Sequence, residues 1–322
     1  DLHSFPTRRS SDLDLFRNHN NEGIIHNFPL LTTKRMSLKS VWQELTWKLH
    51  GDTNIRRLIE QKNHIWTERP FKKYLEETWQ KNLLDNMWKD TKKSDYTDEW
   101  KTTKADFENK IMTDDEFCAK WWELGRTYWH HFRNFWEVTV SDLDEWAKNI
   151  LLNNGRKPND VIMKWFDQLM EAINLINHNP ENRRIIISLW NAQDVSKTLL
   201  PPCPCFYQFF ANEEWYLHLN MYQRSCDTFL GVPYNTAQDS LFLCMMAHVT
   251  GRKPGRFNHF FGDAHIYKNH VEQVKEQLTR TPHELPSIRL NPDVKNILDF
   301  TREDIELIWY EHEDSLRGAV SI

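Results

Sequence analysis

Apolar residues recur at helical spacing in the first part of the chain. Leu38, Val41, Leu45 and Leu49 fall on one face of a helix, since side chains three and four positions apart are neighbours on a helix. Ser37, directly before them, is a residue type that caps helix N-termini. The pattern therefore predicts an amphipathic helix that begins after Ser37.

The second half of the chain predicts strands as well as helices. Residues 163–176 have the spacing of an amphipathic helix, and residues 240–249 form an apolar run typical of a buried helix. Residues 185–190 are typical of a buried strand, residues 215–222 alternate as in a half-buried strand, and residues 262–267 predict a further short strand. Because strands and helices are interspersed, the predicted fold class is α/β or α+β.

Two polar stretches interrupt this pattern. Residues 67–116 are dominated by Lys, Asp, Glu, Thr and Trp and contain no glycine, which predicts a helical surface insertion that is polar on most faces. Residues 137–160 end in the sequence Asn-Asn-Gly-Arg-Lys-Pro, a strong loop signal. Both stretches are interpreted as insertions into one domain.

Composition restricts the class of protein without identifying its chemistry. The 322 residues include 41 Lys and Arg against 46 Asp and Glu, a net charge of −5, which gives no basic face for a dedicated nucleic-acid surface. No apolar run approaches the roughly 20 residues that a membrane span requires. Five scattered cysteines form no disulfide framework, so we expect reduced thiols in the cytoplasm.

The first 13 residues differ from the rest. The segment 1–13 resembles translated sequencing-adaptor sequence more than protein, with no periodicity, no helix cap and no secretory apolar region. We expect it to be an artefactual leader and exclude it from the fold prediction, which would also mean that the genuine N-terminus is missing.

Several separate segments, in order, are similar to the thymidylate synthase family. The resemblance runs from about residue 16 to residue 322. It implies one catalytic domain over residues 14–322 with insertions at about 67–116 and 137–160, and a mixed sheet packed at a homodimer interface with helices around it. The segments are Phe28–Arg35, Glu44, Gly51–Asn54, Ile65–Trp66, Asn182–Asn191, Leu200–Cys203, Gln208–Phe209, Tyr222–Asp227, Leu230–Asn235 and Gly262–Tyr267.

The resemblance assigns a nucleophile to Cys203. The implied reaction is the reductive methylation of dUMP to dTMP with 5,10-methylenetetrahydrofolate as co-substrate and no metal. It needs a thiolate that adds to C6 of uracil, and a free cysteine is mostly protonated at neutral pH. A neighbouring guanidinium favours the thiolate, and Arg224 is the family's candidate. Cys203 and Cys205 form a weak metal motif, because no second ligand pair follows.

The resemblance also implies which residues bind the nucleotide. Arg224 and Ser225 would hold the phosphate, a dianion that arginines bind well. Arg183 and Arg184 would reach it from the partner subunit, so the enzyme should be an obligate homodimer. Asn235 can offer a donor and an acceptor to uracil, whereas related hydroxymethylases acting on dCMP have an acidic residue there.

The remaining assignments rest on the resemblance alone. His265 and Tyr267 would bind the deoxyribose hydroxyl, and Glu44 and Tyr128 would take part in proton transfer. Asp227, grouped with the nucleotide-binding residues, would also border the folate. The other residues at the folate would be Trp66, Leu230, Gly231 and the C-terminal Ile322, which would form a lid.

Several positions depart from the family pattern. Pro204 follows the nucleophile where histidine is usual, Arg69 replaces a tryptophan of the folate wall, and Trp129 replaces a glycine. Thr236-Ala-Gln238 replaces the usual Ile-Ala-Ser, and the N-terminal arginine loop is absent. Two alternatives therefore stay open at this point: a pyrimidine hydroxymethylase acting on dUMP or dCMP, and a catalytically impaired relative that keeps the nucleotide pocket.

Overall fold

The fold was obtained as a computed structural model of the 322-residue chain. The structure describes residues 10–13, 23–78, 80, 83, 97–122, 124–126, 130–135, 138–163, 166–212 and 214–318.

Helices and strands alternate through these ranges. The strands are β1 (Ser10–Leu13), β2 (Ile24–Ile25), β3 (Val138–Thr139), β4 (Val161–Met163), β5 (Ile186–Ser188), β6 (Pro204–Ala211), β7 (Tyr216–Asp227), β8 (Lys253–His265), β9 (Ser287–Leu290) and β10 (Ile305–Ile308). The α-helices are α1 (Leu38–Leu49), α2 (Arg56–Glu60), α3 (Glu68–Glu77), α4 (Asp98–Thr113), α5 (Asp115–Trp121), α6 (His130–Arg133), α7 (Glu145–Asn153), α8 (Gln168–His178), α9 (Gly231–Val249) and α10 (Val271–Leu278). The mixed α+β class predicted from the sequence is confirmed.

The largest sheet among the described residues has five strands in the order β1-β8-β7-β6-β5. Strands β7 and β8 are parallel and are connected through α9, whereas the other neighbouring pairs are antiparallel. Smaller sheets pair β10-β9-β2 and β3-β4. Ser10–Leu13, within the segment expected to be an artefactual leader, pair with Phe257–Phe260 as the edge strand β1.

The five-stranded sheet has two unlike faces because side chains alternate along each strand. On the inner face, Tyr207 and Phe209 of β6 pack edge-on against Phe242 of α9, with ring centroids 6.0 and 5.5 Å apart. Helix α9 is buried continuously from Ala237 to Ala247, so it forms the centre of the core. The outer face carries exposed aromatic side chains: Phe206, Phe210, Tyr222 and Phe260.

Helix α1 forms as the sequence predicts. The Ser37 side chain accepts a hydrogen bond from the Ser40 amide, and this N-cap fixes the start of the helix. The apolar stripe of α1 faces α9, and its four residues are buried: Leu38, Val41, Leu45 and Leu49. The amphipathic reading of this segment is therefore confirmed.

Within residues 67–116, the segment predicted to be a helical surface insertion, the described residues form α3 and α4, and these helices share an aromatic cluster with α5. Tyr74 of α3 lies 5.3 Å from Phe107 of α4 and 5.2 Å from Trp121 of α5, measured between ring centroids. Phe71 and Trp100 pack edge-on in the same cluster. This packing gives several of the tryptophans and phenylalanines a structural role that the polar composition conceals.

Residues 138–163, which include the described part of the second predicted insertion, contain the β3-β4 pair with α7 between the two strands. Asp142 ties it to the main domain through ion pairs with Arg126 at 2.6 Å and Lys197 at 2.9 Å. Burial acts to raise the pKa of Asp142, but hydrogen bonds from Lys197, Thr139 and Arg126 outweigh it, and the pKa lies well below its usual range.

Three predicted element boundaries are wrong. The helix predicted from Met163 begins only at Gln168, because Met163 pairs with Val138 in β4 and Asp167 caps the helix. The strand predicted at 262–267 is the end of β8 and stops at His265. The buried strand predicted at 185–190 is a strand only at Ile186–Ser188, and its buried positions alternate with half-buried ones, because one side of this edge strand faces outward.

None of the described helices is both long and apolar enough to cross a lipid bilayer.

Phe242→Ala should strongly destabilise the fold, because it leaves a cavity between α9 and the sheet. We expect a loss of about 3–5 kcal/mol in the free energy of unfolding, measured by denaturant unfolding at fixed protein concentration. Leu278→Ala, on α10 and 81% exposed, is the control and should stay within about 0.5 kcal/mol of the parent. Equal losses in the two variants would contradict this description of the core.

Candidate active site

Cys203 lies at the point where β6 begins beside the end of β7. Pro204 is opposite Gln223 in the antiparallel ladder, and the Arg224 amide donates to the Cys203 carbonyl at 2.8 Å. Pro204 can start the strand because proline lacks only the amide donor and is tolerated at a strand's first residue. The pairing therefore holds Cys203 and Arg224 next to each other.

The Arg224 side chain is fixed by backbone carbonyls. Its Nε donates to the Pro202 oxygen at 2.9 Å and its Nη2 to the Pro201 oxygen at 2.8 Å. Nη2 then lies 4.0 Å from Cys203 Sγ. The guanidinium also lies over the Trp190 ring, 5.7 Å from its centroid. A fixed cation therefore lies beside the sulfur that the sequence predicts as the nucleophile.

The other cysteines are less suited to nucleophilic chemistry. Burial raises the pKa of Cys205, Cys118 and Cys244, and it raises the pKa of Cys226 to about 12. All five cysteines lie within the described residues, and none forms a disulfide. Cys203 is therefore the thiol that the local environment favours as a nucleophile.

A buried hydrogen-bond chain orients Asn235. Burial lowers the pKa of His259 to about 3, so its ring is neutral and its Nε2 donates to Gln223 Oε1 at 2.8 Å. His259 Nδ1 then accepts from the Thr236 hydroxyl at 3.2 Å. Gln223 Nε2 donates to the Ser225 carbonyl at 2.9 Å and to Asn235 Oδ1 at 3.1 Å. The Asn235 amide consequently has a defined orientation, with its Nδ2 as the donor.

Glu44 is buried, although a helical glutamate is usually exposed. Its side chain is 8% exposed, and its Oε1 accepts from Trp66 Nε1 at 3.1 Å. Lys48, one turn further along α1, lies 3.2 Å from the same oxygen. Two donors therefore hold the Glu44 carboxylate in place.

Asp227 closes the other end of the site at the end of β7. Its Oδ1 accepts from the amides of Phe229 and Leu230 at 3.1 and 3.2 Å, which fixes the turn into α9 at Gly231. Oδ2 takes no part in these two bonds. Burial lowers the pKa of Lys34 to about 8, and the charge of Asp227 opposes this shift.

His265 and Tyr267 lie beside Asp227. His265 is opposite Asp227 in the β7-β8 register, and its ring meets Tyr267 edge-on with centroids 4.8 Å apart. Tyr267 lies beyond the strand, so the predicted alternation on one strand is wrong even though the two rings meet. Burial raises the pKa of Tyr267, the charges of Asp227 and Cys203 raise it further, and Arg69 opposes the shift. These groups therefore surround the same site.

Arg183 and Arg184 occupy a different position. Both are exposed in the turn before β5, and the Arg183 carbonyl accepts from the Gln208 side chain at 3.1 Å. Gln208 belongs to the outer face of the sheet, between Phe206 and Phe210. The two arginines thus lie beside the exposed aromatic surface.

Two predicted site residues, Tyr128 and Ile322, lie outside the described residues, as does Trp129. Gln223, His259 and Trp190 contribute to the site but were not singled out from the sequence. Gln223 directly precedes the Arg-Ser-Cys-Asp segment, and this position in the sequence was the signal that could have identified it as a site residue. Within the described part of the chain, no group of three or more His, Cys, Asp and Glu side chains is placed to hold a metal ion.

An anchored cysteine–arginine pair, with an oriented amide that is reached through Gln223, is suited to an enzyme that works through a thiolate nucleophile. A sequence model of the family described as thymidylate synthase matches residues 8–322. Three curated proteins named thymidylate synthase are similar to the chain. That of Mycoplasma mobile is 42% identical over 295 residues, that of Oenococcus oeni 39% over 300, and that of Malacoplasma penetrans 40% over 296.

Each alignment covers 92% of this chain and 86% of the relative. The chain therefore belongs to the thymidylate synthase family. Its function is that of the family: it is an enzyme, a methyltransferase of nucleotide biosynthesis. Members of this family are dimeric, bind dUMP and use methylenetetrahydrofolate as co-substrate.

Limited alkylation should modify Cys203 first. With substoichiometric iodoacetamide at neutral pH, we expect peptide mass spectrometry to find the label on Cys203, because burial raises the pKa of each of the other four thiols. Cys203→Ser is the control and should leave only slow labelling. Equal or faster labelling of Cys205 would show that the Arg224 environment does not distinguish the two.

Proposed function

We propose that this chain reductively methylates dUMP to dTMP through a covalent bond between Cys203 Sγ and C6 of the uracil ring. The observation that carries this proposal is the Arg224 guanidinium, fixed by two carbonyls and 4.0 Å from Cys203 Sγ. The cation lowers the free energy of the thiolate before attack and again when the thiolate leaves at the end of the reaction.

The nucleotide would be held by groups around this pair. Arg224 and Ser225 lie next to each other at the end of β7 and would hold the phosphate. Asn235 would donate through Nδ2 to uracil O4, while its Oδ1, already accepting from Gln223, accepts from N3–H on its second lone pair. Cytosine lacks the N3–H and has a donor at position 4, so this arrangement favours uracil. His265 and Tyr267 would bind the deoxyribose hydroxyl.

Glu44 and Tyr128 would move the protons. Glu44 is the buried carboxylate that would exchange protons with uracil O4 through water, and Tyr128 would assist removal of the proton at C5.

The co-substrate is 5,10-methylenetetrahydrofolate, which supplies both the carbon and the hydride. Asp227 Oδ2, which takes no part in the bonds to Phe229 and Leu230, would accept from its hydrogen-bonding ring beside Leu230 and Gly231, and Trp66, 9% exposed, would lie against that ring. Ile322, at the end of the chain, would close over it and exclude water. The reaction as proposed needs no metal.

The exposed aromatic face of the sheet would be the homodimer interface. Phe206, Phe210, Tyr222 and Phe260 are 37–45% exposed on adjacent strands, and such patches on soluble proteins commonly mark association surfaces. A two-fold axis through this face would carry Arg183 and Arg184 into the partner's phosphate site. The free cysteines suit a cytoplasmic enzyme.

A covalent ternary complex tests the chemistry. With 5-fluoro-dUMP and methylenetetrahydrofolate, we expect the intact mass to rise by one nucleotide plus one folate, mapped to Cys203, because fluorine cannot leave C5 as a proton does. Cys203→Ser is the control and should form no adduct. A folded dimer without an adduct would contradict the proposed reaction and favour a catalytically impaired relative.

Mixed dimers test the partner's arginines. Cys203→Ala and Arg183→Ala/Arg184→Ala should each be inactive alone, since one lacks the nucleophile and the other the phosphate contacts. After unfolding and refolding together, random pairing should restore about a quarter of parent activity, because half the dimers have one complete site. Refolding each variant alone is the control. No recovery, despite heterodimers on native mass spectrometry, would place the arginines in their own subunit's site.

A further inference from the structure

The C-terminal segment, residues 309–318, follows β10 and contains neither helix nor strand. Its backbone therefore has no hydrogen-bond ladder of its own, and its path depends on the groups around it. The segment leads into the last four residues of the chain, which end at Ile322. The contacts that hold it therefore also determine where those last residues begin.

Arg280, two residues beyond the end of α10, holds this segment. Its Nη1 donates to the carbonyl of Asp314 at 2.6 Å and to that of Thr33 at 3.0 Å. Its Nη2 donates to Glu276 Oε1 on α10 at 2.7 Å, and the side chain is only 13% exposed. Because a guanidinium carries its donors in a planar fork, one residue joins the C-terminal segment, the chain before α1, and α10.

Two further contacts follow the backbone of the same segment. The Glu313 amide donates to the Thr32 carbonyl at 2.8 Å. Nearer the end, Gln273 Nε2 on α10 lies 3.4 Å from the Arg317 carbonyl. Because these contacts and that of Arg280 are made to backbone atoms of the segment, they specify the path of the chain.

Gly318 lies against the wall of the proposed folate site. A side chain there would place its Cβ 2.8 Å from His270 Nε2 and 3.0 Å from Phe229 Cε1. Both rings are buried and lie 5.0 Å apart between centroids, so a Cβ would have to displace a packed ring. The Phe229 amide donates to Asp227 Oδ1 at 3.1 Å. The close approach of Gly318 therefore brings the chain beside the turn that carries Asp227, the proposed folate acceptor.

We propose that Arg280 and Gly318 are positioning residues that fix where the last four residues enter the folate site. This inference rests on the proposed function, in which Ile322 closes over methylenetetrahydrofolate. Both residues act through the C-terminal segment. Their effect is on the folate rather than on the nucleotide, because the contacts lead to the Asp227 turn and not to the Cys203–Arg224 pair.

The kinetic test compares KM for the two substrates of the full-length enzyme. Arg280→Met keeps an unbranched side chain without the guanidinium. It should raise KM for methylenetetrahydrofolate about tenfold, as expected when a charge-assisted hydrogen bond is lost, and leave KM for dUMP within about twofold. Arg280→Lys keeps the charge but not the fork and should fall between the parent and Arg280→Met.

Two other variants complete the kinetic test. Gly318→Val, whose Cβ meets the buried His270 ring, should raise KM for methylenetetrahydrofolate in the same selective way. Lys275→Met, at a lysine of α10 whose side chain is 66% exposed, is the matched control and should change neither KM.

Hydrogen exchange of the same proteins without substrates tests the anchoring itself. The peptide 311–318 should exchange faster in Arg280→Met than in the parent, because the bond from the Glu313 amide to Thr32 loses the support of the neighbouring contact at Asp314. Lys275→Met should exchange like the parent.

Faster exchange together with a selective rise in KM for methylenetetrahydrofolate would support the proposal. Unchanged exchange, or KM values that rise equally for both substrates, would overturn it. If Arg280→Met does not fold, Gly318→Val decides by the same KM comparison. A parent that forms no dTMP would contradict the proposed function and this inference with it, whereas turnover with an unchanged KM for methylenetetrahydrofolate in the variants overturns the inference alone.

Discussion

The hydrogen bond from the Arg224 amide to the Cys203 carbonyl, at the end of the β6-β7 ladder, determines where the chemistry can occur. Because β6 and β7 are antiparallel, the start of β6 lies beside the end of β7. Cys203 is therefore next to Arg224, although 21 positions separate them. The Arg224 side chain then turns back to the carbonyls of Pro201 and Pro202, so its position depends on the same segment that carries the thiol. The consecutive prolines limit the freedom of that segment and hold the two carbonyls as acceptors.

The same sheet supplies both the core and the surface that we propose as the dimer interface. Alternation along β6 and β7 sends Tyr207 and Phe209 toward α9 and leaves Phe206, Phe210 and Tyr222 exposed on the outer face. A shift of one residue in register would exchange the two sets, so the inner packing also fixes the outer surface. The surface proposed for assembly and the cysteine proposed as the nucleophile are therefore linked through one structural element, and the two exposed arginines lie beside its outer face.

Local signals predicted local structure well. Ser37 and the apolar spacing after it were sufficient for α1, and the motifs around Cys203 and Arg224 identified residues that the fold does bring together. The errors arose where contacts with residues far away in the sequence determine the structure. Met163 continues a helical period but pairs with β3. Glu44 and Lys48 are charged residues whose burial depends on α9, about 190 positions away. No single-sequence pattern contains that contact. The aromatic core of the insertion was missed for the same reason, since three helices share it.

We propose that this chain carries out the complete reductive methylation despite Pro204 and Arg69. This can be tested by following tritium release from dUMP labelled at C5 and dihydrofolate formation in the same reaction. Both products should appear together and in equal amounts, because each turnover removes the C5 proton and oxidises the folate. Tritium release without dihydrofolate would indicate a hydroxymethylase, and the absence of both products from a folded dimer would contradict the assignment of a working active site.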